Sequence, residues 1–261
     1  MIDIHSHILP GLDDGSPNLE ESVAMVRMAA ESGTTDIVAT PHANVECPFD
    51  PAVVESRIAE LLEASEGVVR IHYGCDFHLY FDNVQDALEN PSRYAINHKN
   101  YVLVELSELM AFKTAEDVLE RMRAAGMRVI VTHPERHGLL QRRIDKMESW
   151  VAAGSYVQLT AQSLFGRFGK TARSFSEELL RRGLVHFVAS DAHDTRVRPP
   201  RLDEAYAWIA REYGKATAER LLVSNPAAVL TGEPLPAGKI EPVARRRRWW
   251  GGFRSRSAGV L

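Results

Sequence analysis

The chain has 261 residues, 45% of them hydrophobic, and a formal net charge of −4, which provides one substantial core and allows one or two domains. No apolar run reaches the ~18–20 residues of a membrane span, and the first residues lack the basic-then-apolar pattern of a secretory leader. Two cysteines, Cys47 and Cys75, are too few for a disulfide framework and point to a reducing cytoplasm. The charge is uneven, because seven Lys/Arg and one Glu fall from Pro236 onward, leaving the preceding body at −10. An acidic body argues against a broad nucleic-acid footprint and suits carboxylates gathered around cations.

In chain order, Ile2 to His5 reads as a first strand. Ser16-Pro17 reads as an N-cap with proline at the first helical position, and Leu19, Val23, Val26 and Ala30 follow at helical spacing up to Gly33. A strand at Asp36–Thr40 precedes a helix from Ala52 to Ala64, and Val68–Tyr73 and Tyr101–Leu106 are the next strands. A helix over Ala115–Ala125 should bury Val118, Leu119 and Met122. Strands at Arg128–Thr132, Tyr156–Thr160 and Val185–Ala189 bring the number to seven, with a helix over Ser174–Arg182 and two short helices between Leu202 and Thr231. Short Val/Ile-rich strands alternating with helices predict a parallel α/β fold, as an open doubly wound sheet or a closed barrel. No glycine-rich phosphate loop follows a strand, so neither a dinucleotide fold nor a P-loop is supported.

The chemistry lies in where His, Asp and Glu fall. His5 and His7 end the first strand, with Asp13 and Asp14 just beyond. His42 follows the second strand, Asp76 the third, Glu105 ends the fourth, His133 follows the fifth, and Asp191 and His193 the seventh. In parallel α/β folds the C-terminal strand ends share one rim, so six of seven strands deliver a metal-type ligand to one place. A single strand-end histidine is usually a hydrogen-bonded structural residue. Many buried ionisable groups together need the compensation that divalent cations supply. Mixed imidazole and carboxylate donors without thiolates favour Mn, Zn or Fe over Ca or Mg, and a structural zinc site would be cysteine-rich.

The stretches IDIHSHILPGLDDG, ATPHAN, VTHPERH and VASDAHD, with RPP after them, resemble the PHP-type (polymerase and histidinol phosphatase) metal-dependent tyrosine phosphatases of bacterial capsule and exopolysaccharide systems. The resemblance runs from Met1 to about Thr231 and implies a PHP phosphoesterase domain over residues 1–232, a seven-stranded (β/α) barrel with three divalent ions, most often manganese. It implies that His5, His7 and Asp191 hold one ion, Asp14, His42 and His193 a second, and Glu105 and His133 a third, with Asp76 bridging the first and third. Asp76 is a departure, since the family carries Glu there, and Asp13 competes with Asp14 for its ligand role. Arg136 and Arg198 match arginines that the family places on phosphate, where planar guanidinium suits the oxygens. His137 reads as a solvated loop residue, and His72, His78, His98 and His186 receive no role, although His78 lies nearest the site. Neither cysteine begins a Cys-x5-Arg loop, so a thiol mechanism is unsupported.

The implied partner is a phosphotyrosine protein, the tyrosine-rich tail of a kinase of polysaccharide export. Rival readings are a small-molecule phosphatase such as histidinol phosphatase, a nuclease-like phosphoesterase, and a non-catalytic module that retains metals. Residues 233–261 read as a disordered basic tail in which Arg245–Arg248 run into Trp249 and Trp250, with Phe253, Arg254 and Arg256 behind. Such a segment, residues 245–256, suits an anionic membrane surface and would make a cytoplasmic protein peripheral at the inner membrane. No nucleic acid is expected.

Overall fold

Parallel strands form the centre of the molecule, which a computed structural model describes over residues 1–107 and 110–236. They are β1 (Ile2–Ser6), β2 (Asp36–Ala39), β3 (His42–Ala43), β4 (Arg70–Tyr73), β5 (Asp76–His78), β6 (Tyr101–Glu105), β7 (Arg128–Thr132), β8 (Tyr156–Thr160) and β9 (Phe187–Ala189). All seven expected strands are present, but the ladder is drawn as two sheets, β1-β2-β4 and β3-β5-β6-β7-β8-β9, without a closed ring. The fold is therefore α/β with parallel sheets.

The two additional strands have a physical origin. Pro41 has no N–H to give to a ladder, so pairing stops after Ala39 and resumes at His42, with Asp76 N–H donating to Pro41 O at 3.1 Å. The next break falls at Gly74 and Cys75, where a side chain on Gly74 would collide with Val38 and Thr40. At the other margin Asp191 N–H donates to His5 O (2.9 Å) and His7 N–H to Ala192 O (2.8 Å), tying β1 to the segment after β9.

The helices are α1 (Leu19–Glu31), α2 (Pro51–Ala64), α3 (Phe81–Glu89), α4 (Phe112–Ala124), α5 (Ile144–Ala152), α6 (Gly169–Arg181), α7 (Asp203–Tyr213), α8 (Lys215–Glu219) and α9 (Asn225–Thr231). The cap of α1 is Asn18 rather than Ser16: Asn18 accepts from Glu21 N–H at 3.0 Å, while Ser16 Oγ donates to Asn18 O. Its buried stripe is Ser22, Met25, Val26 and Ala29, with Leu19, Val23 and Ala30 on the half-buried flank. In α4 the buried residues are Ala115, Leu119 and Met122, and Val118 is only partly covered.

Strand residues alternate between two apolar layers. Ile2, Ile4, Val38, Tyr101, Leu103, Ile130 and Phe187 meet in an inner cluster closed by Ile96 and by Val229 of α9. Val102, Val104, Val129, Val131 and Val188 belong to the larger cluster beneath the helices. The packed chain continues past residue 232. Tyr101 donates to Glu233 O at 2.8 Å and Leu235 packs on the inner cluster. Residues 237–261, including the basic segment at 245–256, lie outside the described residues.

Candidate metal centre

The carboxyl ends of the strands bring the expected ligands together. The register of β1 against β2 shifts between Asp3 and Ser6, so Ile4 joins the inner apolar cluster while the adjacent His5 turns onto the site. His133 and Asp191 both adopt positive φ, 31° and 52°, an uncommon conformation for side-chain-bearing residues that tends to occur where function requires it. The loop after β1 folds back on itself, and a side chain at Gly15 would collide with the His7 carbonyl. That close return delivers Asp13 and Asp14 to the rim.

Three imidazoles are oriented from behind. His5 Nδ1 meets Gln158 Oε1 at 3.0 Å, His7 Nδ1 meets Asp13 Oδ2 at 2.6 Å, and His193 Nδ1 meets Asp191 O at 3.1 Å. With each Nδ1–H donating to its oxygen, the Nε2 atoms of the three rings face the site, where their lone pairs can serve as metal ligands. His5 Nε2 and His7 Nε2 lie 3.6 and 3.5 Å from Asp191 Oδ1. Asp14 Oδ1 lies 3.2 Å from His42 Nε2 and 3.4 Å from His193 Nε2. His133 Nε2 stands 3.8 Å from Glu105 Oε1.

Metal-type groupings follow at three places: His7, Asp14, His42 and His193; His42, Asp76, His78 and Glu105; and His5, His7 and Asp76. Asp14 rather than Asp13 faces the first grouping. Asp13 is the carboxylate behind His7, and it also accepts from His42 N–H at 3.0 Å. His78, which carries no role in the resemblance, is in the second grouping.

The electrostatics suit cations. Burial would lower the His7 imidazole, yet the Asp13 carboxylate against it pushes it up to about 9. Burial likewise opposes His42, but Asp14, Asp76 and Glu105 raise it to about 11. His5 and His133 are pushed down to about 4, chiefly by burial. Burial works to raise Asp191, but the positive charge of His5, His133 and Arg198 and a bond from His7 hold it well below the usual carboxylate range. Asp76 decides the fit: it is fully buried and neither carboxylate oxygen has a hydrogen-bond donor in proper geometry, although His42 Nδ1 is 2.9 Å from Oδ2. A fully buried carboxylate with imidazoles around it but no well-aligned hydrogen-bond donor gains from a divalent cation. Divalent cations fit these donors.

Beside the imidazoles, Asp191 Oδ2 is paired with Arg136 Nη1 and, at 2.5 Å, with Arg198 Nη2. The Phe168 ring lies under both guanidiniums, 4.5 Å from Arg136 Cζ and 5.9 Å from Arg198 Cζ. Glu135, pushed up to about 7 by burial, accepts from Thr160 N–H (2.9 Å) and Ser163 Oγ (2.7 Å) and fixes the turn that carries Arg136. A cleft of about 260 Å³ opens here, lined by Glu105, Leu106, His133, Pro134, Arg136 and Leu140 among others. His137 is buried rather than solvated: its Nδ1 accepts from Leu140 N–H at 3.3 Å, and Nε2 lies 3.2 Å from Ser107 O. His72, His98 and His186 lie on other partners, Asp36, Glu55 and Val157.

Residues 1–231 match the sequence model of a family described as capsular polysaccharide synthesis, CpsB/CapC. The chain belongs to that family. It is 33% identical over 243 residues to the tyrosine-protein phosphatase CpsB of Streptococcus agalactiae, covering 88% of this chain and 98% of the relative. It is 31% identical over 251 residues to the tyrosine-protein phosphatase YwqE of Bacillus subtilis, covering 95% of this chain and 98% of that one. A crystal structure from work on B. subtilis YwqE and Streptococcus pneumoniae CpsB, described as unique metal-dependent tyrosine phosphatases, superposes with a TM-score of 0.84 at 30% identity, covering 94% of this chain and 100% of that one. The match to the CpsB/CapC family spans all the rim residues and ends before the basic segment at 245–256.

Proposed function

We propose that this chain is a metal-dependent protein-tyrosine phosphatase. The observation that carries the reading is the buried carboxylate of Asp76, without a well-aligned hydrogen-bond donor among convergent imidazoles, beside two arginines at an open cleft. We read the two sheets as one seven-stranded PHP barrel whose second and third strands are each broken. His5, His7 and Asp191 would hold one ion, Asp14, His42 and His193 a second, and Glu105 and His133 a third, with Asp76 between the first and third. Manganese is the proposed metal, with zinc or iron as the alternatives.

Bound divalent ions supply an activated water and neutralise charge on the phosphoryl group. Arg136 and Arg198 stand next to that position and bind the equatorial oxygens as negative charge builds on them. Phe168 and Asp191 hold the two guanidiniums before substrate arrives, which limits the cost of ordering them. Leu106, Pro134 and Leu140 give the cleft an apolar wall for a phenyl ring. Phenolate leaves readily without a protein acid, in keeping with His137, whose ring is engaged with Leu140 and Ser107.

The deciding experiment compares turnover of a phosphotyrosine peptide and of histidinol phosphate, with Mn²⁺ and with chelator. Peptide hydrolysis that needs the metal and exceeds histidinol phosphate turnover is expected. Faster histidinol phosphate turnover would make the protein a small-molecule phosphatase, and no turnover of either would make it a non-catalytic metal protein.

The proposed substrate protein is a kinase tail of polysaccharide export, met at the cytoplasmic face of the inner membrane. Residues 245–256 would give a contact with anionic lipid. Full-length protein should then sediment with anionic vesicles, less so at high salt, while a chain ending at Pro236 stays in solution. Equal sedimentation removes the membrane contact.

A further inference from the structure

We propose that His78 is itself a metal ligand, completing a divalent-cation site with Asp76 and Glu105. The inference rests on the metal-dependent reading of the same rim, and it concerns a residue outside the ligand set that the family resemblance implies.

Strand geometry makes the placement unavoidable. Asp76 and His78 are two apart on β5 and so project to one side, and His78 stands opposite Glu105 in the parallel register of β5 with β6. His78 Nε2 is 2.7 Å from Glu105 Oε2, 3.0 Å from His42 Nδ1 and 3.8 Å from Asp76 Oδ2. Despite that 2.7 Å approach, Glu105 Oε2 has no hydrogen bond of acceptable angle, and the two oxygens of Asp76 have none. His78 Nε2 and His42 Nδ1 are close enough to share a proton, but the carboxylate oxygens of Asp76 and Glu105 Oε2 around them receive none in good geometry, which is the arrangement of ligand atoms gathered around a cation.

Asp76 is fully buried, whereas His78 is partly exposed and meets Glu105 Oε2 across the β5–β6 pairing. One imidazole and two carboxylates at this spacing suit Mn, Fe or Zn. His72 shows that the sequence does not place histidines here by default: it is equally part of a β4–β5 segment but hydrogen-bonds Asp36 at 2.9 Å at the opposite end of the strands.

The test is Mn²⁺ binding to the full chain, stripped of metal and titrated, for wild type, His78→Ala and His78→Gln. Glutamine is polar and of comparable reach but is a poor metal ligand. Both variants should lose one Mn²⁺ equivalent or bind it at least about 10-fold more weakly. Pulsed electron paramagnetic resonance of the Mn²⁺-loaded proteins should register one fewer coordinated histidine nitrogen. Circular dichroism identifies a variant that fails to fold, and the glutamine variant then carries the test. An unchanged isotherm in the variants, or an unchanged nitrogen count, overturns the assignment, and so does full metal uptake by His78→Gln. Since binding is measured rather than turnover, absence of phosphotyrosine hydrolysis would leave this site standing, and its failure would leave the phosphatase reading intact.

Discussion

The two ends of the strands carry the same residue types and handle them in opposite ways. At the amino ends Asp36 of β2 accepts from Arg70 Nε and Nη2 at 2.7 and 2.6 Å, from His72 Nε2 at 2.9 Å and from Thr35 Oγ1 at 2.8 Å. Asn97 then reaches both His72 Nδ1 and Leu230 O, locking α9 under the strands. At the carboxyl ends Asp76 has no hydrogen-bond donor of its own. A carboxylate saturated by protein donors stabilises a fold, whereas one left unsatisfied among imidazoles is held in readiness for something absent from the polypeptide. Between Asp36 and Asp76, position along the strands rather than residue type separates structure from chemistry.

The sharpest way to break that contrast is to remove rim ligands. His5→Ala, His133→Ala and Asp191→Ala should each reduce Mn²⁺-dependent hydrolysis of a phosphotyrosine peptide by about 100-fold or more while far-ultraviolet circular dichroism stays unchanged. Cys47→Ser and Cys75→Ser should retain turnover, because a thiol route needs a thiolate and burial pushes both thiols up. Inactive but folded cysteine variants would sink the metal mechanism. Next in size, Arg136→Ala and Arg198→Ala should lower turnover by roughly 10- to 1,000-fold with metal content retained. Phe168→Ala, which removes only the ring beneath both guanidiniums, should cost ~2- to 30-fold, with tryptophan restoring activity better than leucine. Wild-type kinetics in both arginine variants would reduce them to partners of Asp191.

Much of this contrast is legible before any coordinates. His5, His7, His42, Asp76, Glu105, His133, Asp191 and His193 are visible because parallel strands place their carboxyl ends together, so strand boundaries alone locate a shared rim. What stays hidden is the orienting layer. Gln158 of β8, the strand with no ligand of its own, accepts from His5, but a glutamine in a buried strand carries no signal of that duty. Asp13 and Asp14 are indistinguishable in sequence, and only the tight turn at Gly15 sends one behind His7 and the other to the rim. The breaks that create β3 and β5 arise from Pro41 and Gly74, whose effect depends on where neighbouring strands lie. The spacing of His78, two residues after Asp76, places it nearest the rim in sequence, but its contacts with Glu105 and His42 depend on the pairing of β5 with β6.

A smaller effect is expected at the amino ends. Asp36→Ala deletes the acceptor of Arg70, His72 and Thr35, but Arg70 is largely exposed and its share is screened by solvent. The melting temperature should fall by ~2–4 °C, the shift that about 1 kcal/mol produces in a domain of this size. Phosphatase turnover at 25 °C should be unchanged. Lost activity without lost stability would mean that the two ends are coupled, against the separation drawn above.

The smallest and most specific effect concerns pH at the same end. His186 is pushed down to about 4, first by burial and then by the nearby Arg220, and its Nδ1 accepts from Val157 N–H at 3.2 Å with Tyr156 edge-on to the ring. Above pH ~6.5, the ordinary value, the ring is neutral in folded and unfolded chains alike, so it imposes no pH dependence. Between ~6.5 and about 4 the unfolded chain takes up a proton that the fold refuses, so stability falls as pH falls. Below about 4 both states are protonated and the loss levels off. Metal-free wild type should therefore lose more thermal stability between pH 7.5 and pH 5 than His186→Gln, which offers Val157 an acceptor that does not titrate. Measuring the difference in melting temperature of each protein at the two pH values removes the rim histidines from the comparison, because they are common to both. Identical losses in the two proteins would place the acid sensitivity at the rim and leave the amino end silent.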